Sequence, residues 1–226
     1  MLLAELLNYI DDSCNQNPCD HAHMNIIKDE KTMILYHYSV DSYQSGEKLI
    51  NDYKKQYRFA EPFVLSLQRS EECFWGTFFA AMSYSRELCA LGLRKHENYI
   101  KDAVEGIFEY IRITEFPNTS ASRVGGVYYC ESKDEALQYL KDDCIDNGDF
   151  TVNQVKFLEV EVDEKTVYKY DQAFFNEASD VMEESRDLEY VMKLARSYYS
   201  LERSDNPLIE VLAYGDNHIV REIPIE

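Results

Sequence analysis

Two ionisable residues lie in segments where a strand would offer them only apolar neighbours. Glu210 sits in Leu208-Ile209-Glu210-Val211-Leu212-Ala213-Tyr214, and it shares its face with Leu208 and Leu212. A carboxylate in that company is costly unless it meets a partner or a wet pocket. The plain alternative is an edge-strand glutamate facing solvent. His37 lies in Met33-Ile34-Leu35-Tyr36-His37-Tyr38-Ser39, apolar on both sides. Its alternative is a satisfied core histidine. A third residue, Arg123, follows Ser120-Ala121-Ser122 and precedes Gly125-Gly126. Glycines let a backbone approach a ligand closely, and a guanidinium beside them can grip a phosphate or a carboxylate through two bonds. A surface salt bridge explains it equally well. Tyr128 and Tyr129 point to opposite faces of one strand, so one can pack in the core while the other lines a cleft.

Other chemistries leave weaker marks. Cys14, Cys19, His21 and His23 offer four potential zinc ligands within ten residues, but structural zinc sites usually join two separated ligand pairs. A polar loop is the simpler reading, and no metal is assigned. Cys130 and His37 invite comparison with a thiol nucleophile and its base. Nothing local would activate the thiol, and cysteine is often simply buried.

These residues must be positioned by a folded domain. The chain has 226 residues, of which 45% are hydrophobic, and 18 tyrosines help raise the aromatic share to 13%. A disordered chain would be poor in aromatics. Lys and Arg number 23 against 42 acids, giving a formal charge of −19. Tight electrostatic binding to nucleic acid or an anionic membrane is therefore disfavoured. The N-terminus, Met1-Leu2-Leu3-Ala4-Glu5, lacks a basic segment and does not read as a signal peptide. No apolar run approaches a membrane span. Six cysteines without an extracellular signature read as reduced thiols of a cytoplasmic protein.

Proline and glycine are scarce, at 5 and 8, so no linker divides the chain. The expectation is one domain over residues 1–226. Its first 30 residues form a helical and loop extension, with a helix over 2–10 and a loop over Asp11 to Asp20. The core spans 31–226. Strands are expected over Thr32 to Tyr38, Gly126 to Glu131, Val155 to Val162, Leu208 to Tyr214 and His218 to Ile223. The last two are read as a hairpin turning on Gly215-Asp216-Asn217. Asn147-Gly148 marks another turn. Leu158, Val160 and Val162 share one face of their strand; Phe157, Glu159 and Glu161 share the other, and both glutamates read as solvated. Helices are expected over Ser42 to Gln56, over Ser83 to Lys95 and through the apolar stripe from Ile100 to Ile111. Ser132 with Glu135 forms a capping box that starts a helix running to about Cys144. A last helix spans Arg186 to Tyr199, with Tyr190, Val191, Leu194, Ala195 and Tyr198 inward. Helices cluster in the middle and strands close the chain, which favours an α+β class.

The order of these signals resembles the ADP-ribosyltransferase fold, in the branch with a His-Tyr-Glu triad. Leu35-Tyr36-His37-Tyr38-Ser39 resembles the first motif, Gly126-Val127-Tyr128-Tyr129 the second, and Ile209-Glu210-Val211-Leu212 the third. Ser132-Lys133 and Tyr139 echo the region after the second motif. Glu105, Glu109, Arg112, Phe116-Pro117 and Ser122-Arg123 resemble the pattern of an uncharacterised bacterial family of this fold. The resemblance spans about residues 32 to 223. It implies a split antiparallel sheet flanked by helices, and NAD as substrate. Cleaving the nicotinamide–ribose bond builds positive charge on the ribose, and a nearby carboxylate stabilises it. The resemblance assigns that role to Glu210. It has Tyr128 and Tyr139 stack on nicotinamide, and His37 bond the adenosine-side ribose beside Ser39. Arg123, with Arg112 in reserve, would pair with the pyrophosphate. The acceptor of ADP-ribose would be a protein or small molecule rather than nucleic acid, with no membrane partner. Two departures stand out. Ala136 occupies the place of a small hydroxyl residue, and Leu208 stands where arginine-specific transferases carry an extra acid. An acidic interaction protein, either an inactive transferase fold or a partner-binding module, is the alternative function.

Overall fold

Period-two alternation builds the first sheet. In β1 (Thr32–Ser39) Met33 and Leu35 turn to one side and Tyr36 and Tyr38 to the other. β4 (Lys156–Asp163) pairs antiparallel along its whole length, with Thr32 opposite Asp163 and Ser39 opposite Lys156. β7 (Asn217–Glu222) joins the far edge of β4, where the register shifts between Glu159 and Val160. The two-residue β2 (Lys48–Leu49) flanks β7, giving the order β1-β4-β7-β2. The computed structural model describes residues 31–41, 43–49, 65–93, 95–117, 121–146 and 150–225, all within the unit Lys31–Glu226.

A second antiparallel sheet has the order β3-β6-β5, from β3 (Val127–Tyr129), β6 (Ile209–Ala213) and β5 (Val167–Asp171). One bridge joins it to the first. Tyr36 and Cys130 exchange both backbone hydrogen bonds, each at 2.9 Å. The protein is therefore a mixed α+β domain built on two antiparallel sheets.

Side-chain alternation fixes the layers. From β6, Val211 and Ala213 enter a core between the sheets, with Val127, Tyr129, Leu35 and Val160. Leu212 points the other way, into the larger core made by the helices. That core is supplied by α1 (Glu71–Ala90), α2 (His96–Glu115), α4 (Ala173–Glu184) and α5 (Leu188–Tyr199). The outer face of the first sheet is covered by α3 (Lys133–Leu140), whose Ala136 packs with Phe157 and Ile223. Caps set three helix starts: Ser70, Ser132 and Asp187 each accept from a backbone N–H in the first turn, at 3.1, 3.2 and 3.1 Å. Among the described residues no helix is long and apolar enough to cross a membrane.

Several sequence expectations need correction. β6 and β7 are not a hairpin: Gly215, at φ +93°, turns the chain from one sheet into the other. Alternation identifies strands but not their partners, so two neighbouring strands with a turn between them mimic a hairpin. The helix placed at Ser83 begins at Glu71, because the aromatic run Phe74-Trp75-Phe78 buries one side of α1. Within the segment Ser42 to Gln56, the described part contains β2 rather than helix. β5 and α4 were not anticipated; Lys169 and the acids of α4 dilute their apolar signal. Tyr190 is exposed and donates to Glu177 at 2.8 Å, while Val191, Leu194, Ala195 and Tyr198 are buried as expected. Glu159 and Glu161 are half-buried and bonded, to Arg221 and Thr32 respectively. The expected elements over 2–10 and 11–20, and the turn at Asn147-Gly148, lie outside the described residues.

Candidate functional site

The site grows from a short loop laid on α2. Glu105 and Glu109 are one helical turn apart, so they share a face. Ser122 donates its hydroxyl to Glu109 at 2.9 Å, and Arg123 reaches Glu105 at 3.0 Å. The loop then closes tightly, with the Gly126 N–H donating to the Ser122 carbonyl at 2.7 Å. A Cβ at Gly126 would run into that same carbonyl oxygen, with Leu212 behind it at 3.6 Å. Backbone cannot swing aside as a side chain can, so Gly126→Ala should cost about 1–3 kcal/mol. A denaturant midpoint unchanged from wild type would show that the loop can relax.

Arg123 is the centre of a buried ionic group. It is 4% exposed, and its guanidinium contacts both Glu105 and Glu210 Oε1. Tyr198 donates its hydroxyl to the same Glu210 oxygen at 2.6 Å. The guanidinium lies 3.9 Å from the centre of the Phe175 ring, a cation–π contact in a dry setting. Tyr170 stacks on Tyr198 with centroids 4.3 Å apart, and so fixes the hydroxyl that faces Glu210. Burial pushes the Glu105 carboxyl up, against the lowering pull of Arg123. Burial alone would favour a neutral Arg123, but the two carboxylates outweigh it and hold the cation well above its ordinary range.

Beside this group a cleft of about 470 Å³ opens where β1 crosses β3. His37, Arg123, Tyr128, Tyr139 and Glu210 all line it, with Tyr36, Tyr38, Tyr129, Cys130, Glu131, Glu135 and Gln172 among the remaining walls. Tyr128 donates its hydroxyl to the Arg123 carbonyl at 3.1 Å. The Tyr128 carbonyl in turn accepts from His37 Nδ1 at 2.8 Å. A carbonyl can only accept, so that nitrogen carries the proton. Burial lowers the His37 pKa, partly offset by this bond, which leaves a neutral ring with Nε2 as an acceptor.

The family model for DUF2441, a protein family of unknown function, matches residues 21–224. The chain belongs to the DUF2441 family. No curated protein matches it. The matched span of this DUF2441 protein includes every residue that lines the cleft and both Glu105 and Glu109 of α2.

Glu210 is not an edge-strand residue of the DUF2441 domain. β6 is the central strand of its sheet, and the side chain is 9% exposed. One oxygen, Oε1, is held by Arg123 and Tyr198; Oε2 accepts no hydrogen bond from the described residues. His37 is half-buried at the cleft wall rather than sealed in the core. Tyr128 and Tyr129 both border the cleft, although Tyr129 is also part of the core between the sheets.

Three of the expected site residues are already engaged by partners of their own. Arg123 borders the cleft, but it is not an uncompensated grip for phosphate, because two carboxylates already satisfy its fork. Arg112 does not line the cleft; it binds Glu109 three residues back on its own helix, at 2.7 and 3.0 Å. Ser39 does not line it either, since its hydroxyl accepts from the Asp41 N–H at 3.1 Å as the chain leaves β1. Cys130 is no activated nucleophile: burial, with Glu135 nearby, pushes its thiol up to about 11. Ala136 is buried on the inner face of α3, against Phe157 and Ile223, and does not line the cleft. Among the described residues no cluster could hold a metal; Cys14, Cys19, His21 and His23 lie outside them. The sequence reading missed Tyr198 as a partner of Glu210. Its inward place in the helical stripe was visible, but its hydroxyl contact was not. Glu105 and Glu109 were singled out only as part of a pattern. Their spacing of four on one helix face was the available sign that they bind something together.

Proposed function

We propose that this protein is an NAD-dependent ADP-ribosyltransferase-like enzyme on a split antiparallel sheet. The observation that carries the reading is the convergence of His37, Tyr128 and Glu210 on one cleft, from strands far apart in sequence. Two antiparallel sheets meeting at a single bridge, with helices outside, support the same fold. In the reaction the bond between ribose C1′ and the nicotinamide nitrogen breaks, and its electron pair leaves with the ring. The ribose gains oxocarbenium character until an acceptor nucleophile forms the new bond to C1′. Glu210 Oε2 would face that developing cation or accept from a ribose hydroxyl, while Arg123 and Tyr198 hold the carboxylate still from behind. Tyr128 and Tyr139 offer ring faces to the nicotinamide. His37 Nε2 would accept from the adenosine-side ribose. Among the described residues no uncompensated cation lines the cleft, so the pyrophosphate would lie away from Glu210. The acceptor would be a protein or small molecule.

Purified protein incubated with labelled NAD and cell lysate should transfer label or release nicotinamide. Glu210→Gln, confirmed folded by its melting temperature, should reduce this by about 100-fold or more. A variant as active as wild type would remove Glu210 from the chemistry. The ion pairing of Glu210 with Arg123, in a chain of charge −19, favours a second reading as a non-catalytic acidic interaction protein. Absence of both turnover and NAD binding in the wild type would select that reading.

A further inference from the structure

The cleft's charge balance is set partly from outside its walls. Arg123 and Glu210 form an ion pair at its inner end. Left alone, that pair would present little net charge to a ligand. Glu105 does not line the cleft, yet it holds the other side of the same guanidinium, at 3.0 and 3.2 Å. Counting outward, Arg123 and Lys169 face four carboxylates: Glu105, Glu131, Glu135 and Glu210. The surplus is negative, and tyrosine rings stand around it: Tyr36, Tyr38, Tyr128 and Tyr139. His37 adds no positive charge, because its ring is neutral at pH 7. One further polar atom points to a ligand. Glu210, 9% exposed, keeps Oε2 without a partner among the described residues while bordering the cleft.

We infer that Glu105 is a specificity-determining residue: by offsetting the charge of Arg123 it leaves the inner end of the cleft with a net negative charge beside Glu210, and the cleft thereby selects an N-alkylated, cationic pyridinium ring over its neutral counterpart. The inference deepens the NAD reading and rests on it, since nicotinamide in NAD is such a ring. The physical basis is general. Aromatic faces attract cations, and a carboxylate in a partly buried site acts through a low effective dielectric. Neutralising Glu105 would leave Arg123 with Glu210 as its only carboxylate partner among the described residues and shift the inner end toward zero net charge. Glu105 acts through Arg123, without touching the ligand.

The test uses two probes of nearly equal shape, the N-methylnicotinamide cation and neutral nicotinamide, titrated by calorimetry into the full chain. Wild type should prefer the cation by about tenfold or more, and 0.5 M salt should reduce the preference. Glu105→Gln should bring the two affinities within about threefold of each other, and Glu105→Asp, which keeps the charge, should retain most of the preference. A purely structural Glu105 would weaken both probes together and leave their ratio unmoved. Equal affinities in wild type, or binding of neither probe, overturn the inference whether or not any variant folds. Labelled-NAD turnover in the same preparations separates the two claims. Turnover without cation preference overturns this inference alone. Cation preference without turnover overturns the catalytic reading alone.

Discussion

Arg123→Leu should lower the unfolding free energy by about 3–5 kcal/mol at neutral pH, the usual effect of leaving buried charge without its partner. The size follows from what remains. Glu105 and Glu210 are 5% and 9% exposed, and both touch the guanidinium. Without it they face each other across a gap lined by Phe175 and Tyr198. Burial already raises the Glu105 pKa with the cation present. In the variant the Glu105 carboxyl, freed from the lowering pull of Arg123, would lie further above its unfolded value. A raised carboxyl binds protons better in the folded chain, so its penalty grows as pH rises through the unfolded value and fades below it. The deficit of Arg123→Leu should therefore be largest near pH 7–8 and shrink toward pH 4. Urea melts of both proteins across that range measure it. A deficit below about 1 kcal/mol, or one that grows with acid, would mean that the ionic group carries no such weight. Arg123→Lys should fall between the two, because lysine keeps the charge but cannot fork between two carboxylates.

That ionic group also marks where sequence reasoning reached and where it stopped. Glu210 and His37 were legible because their strands are otherwise apolar, and a charged or titratable group there needs an explanation. The capping serine at 132, the stripe of α2 and the alternation of β4 were legible for the same local reason. Each is a periodicity, and periodicity is written within a dozen residues. Pairing is not. Nothing near Gly215 distinguishes a hairpin from a passage between two sheets, because both need a positive φ and two flanking strands. Arg123 shows the same limit in chemistry. Beside two glycines it reads as a grip for an anion, and it is one. The anions are Glu105 and Glu210, 18 and 87 residues away. Which anion an arginine meets depends on packing between elements. The side chains that settle it, Phe175 and Tyr198 above all, belong to helices whose docking no local pattern reports.

Asp171→Ala should cost about 3–5 kcal/mol, and here the expected pH dependence has the opposite sign to that of Arg123→Leu. Asp171 ends β5, is fully buried, and pairs with no cation among the described residues. Its Oδ1 accepts from the N–H groups of Ala173 and Leu208 at 3.1 and 2.9 Å; its Oδ2 accepts from Ser204 at 2.7 Å. One carboxylate thus ties the start of α4 to the loop that leads into β6. Alanine would orphan three backbone donors. Hydrogen bonds to a charged acceptor contribute about 1.5–3 kcal/mol each, but bonds within one network are not additive, hence the smaller total. Burial alone would raise this carboxyl, yet the N–H groups of Ser204, Leu208 and Ala173 outweigh it and hold the group below its ordinary value. A depressed carboxyl contributes stability that is complete above its unfolded value, near 3.9, and is lost as pH falls through the folded one. The gap between wild type and Asp171→Ala should therefore be constant from about pH 6 to 8 and close below about pH 4, where Arg123→Leu has already recovered. The same clamp holds Leu208, just before β6 and two residues before Glu210, so Asp171→Asn offers a finer probe. It keeps one acceptor oxygen and removes the charge, and should lose about half as much stability with little pH dependence. Parallel acid unfolding of wild type and Asp171→Asn would show that Asp171 is not ionised in its clamp.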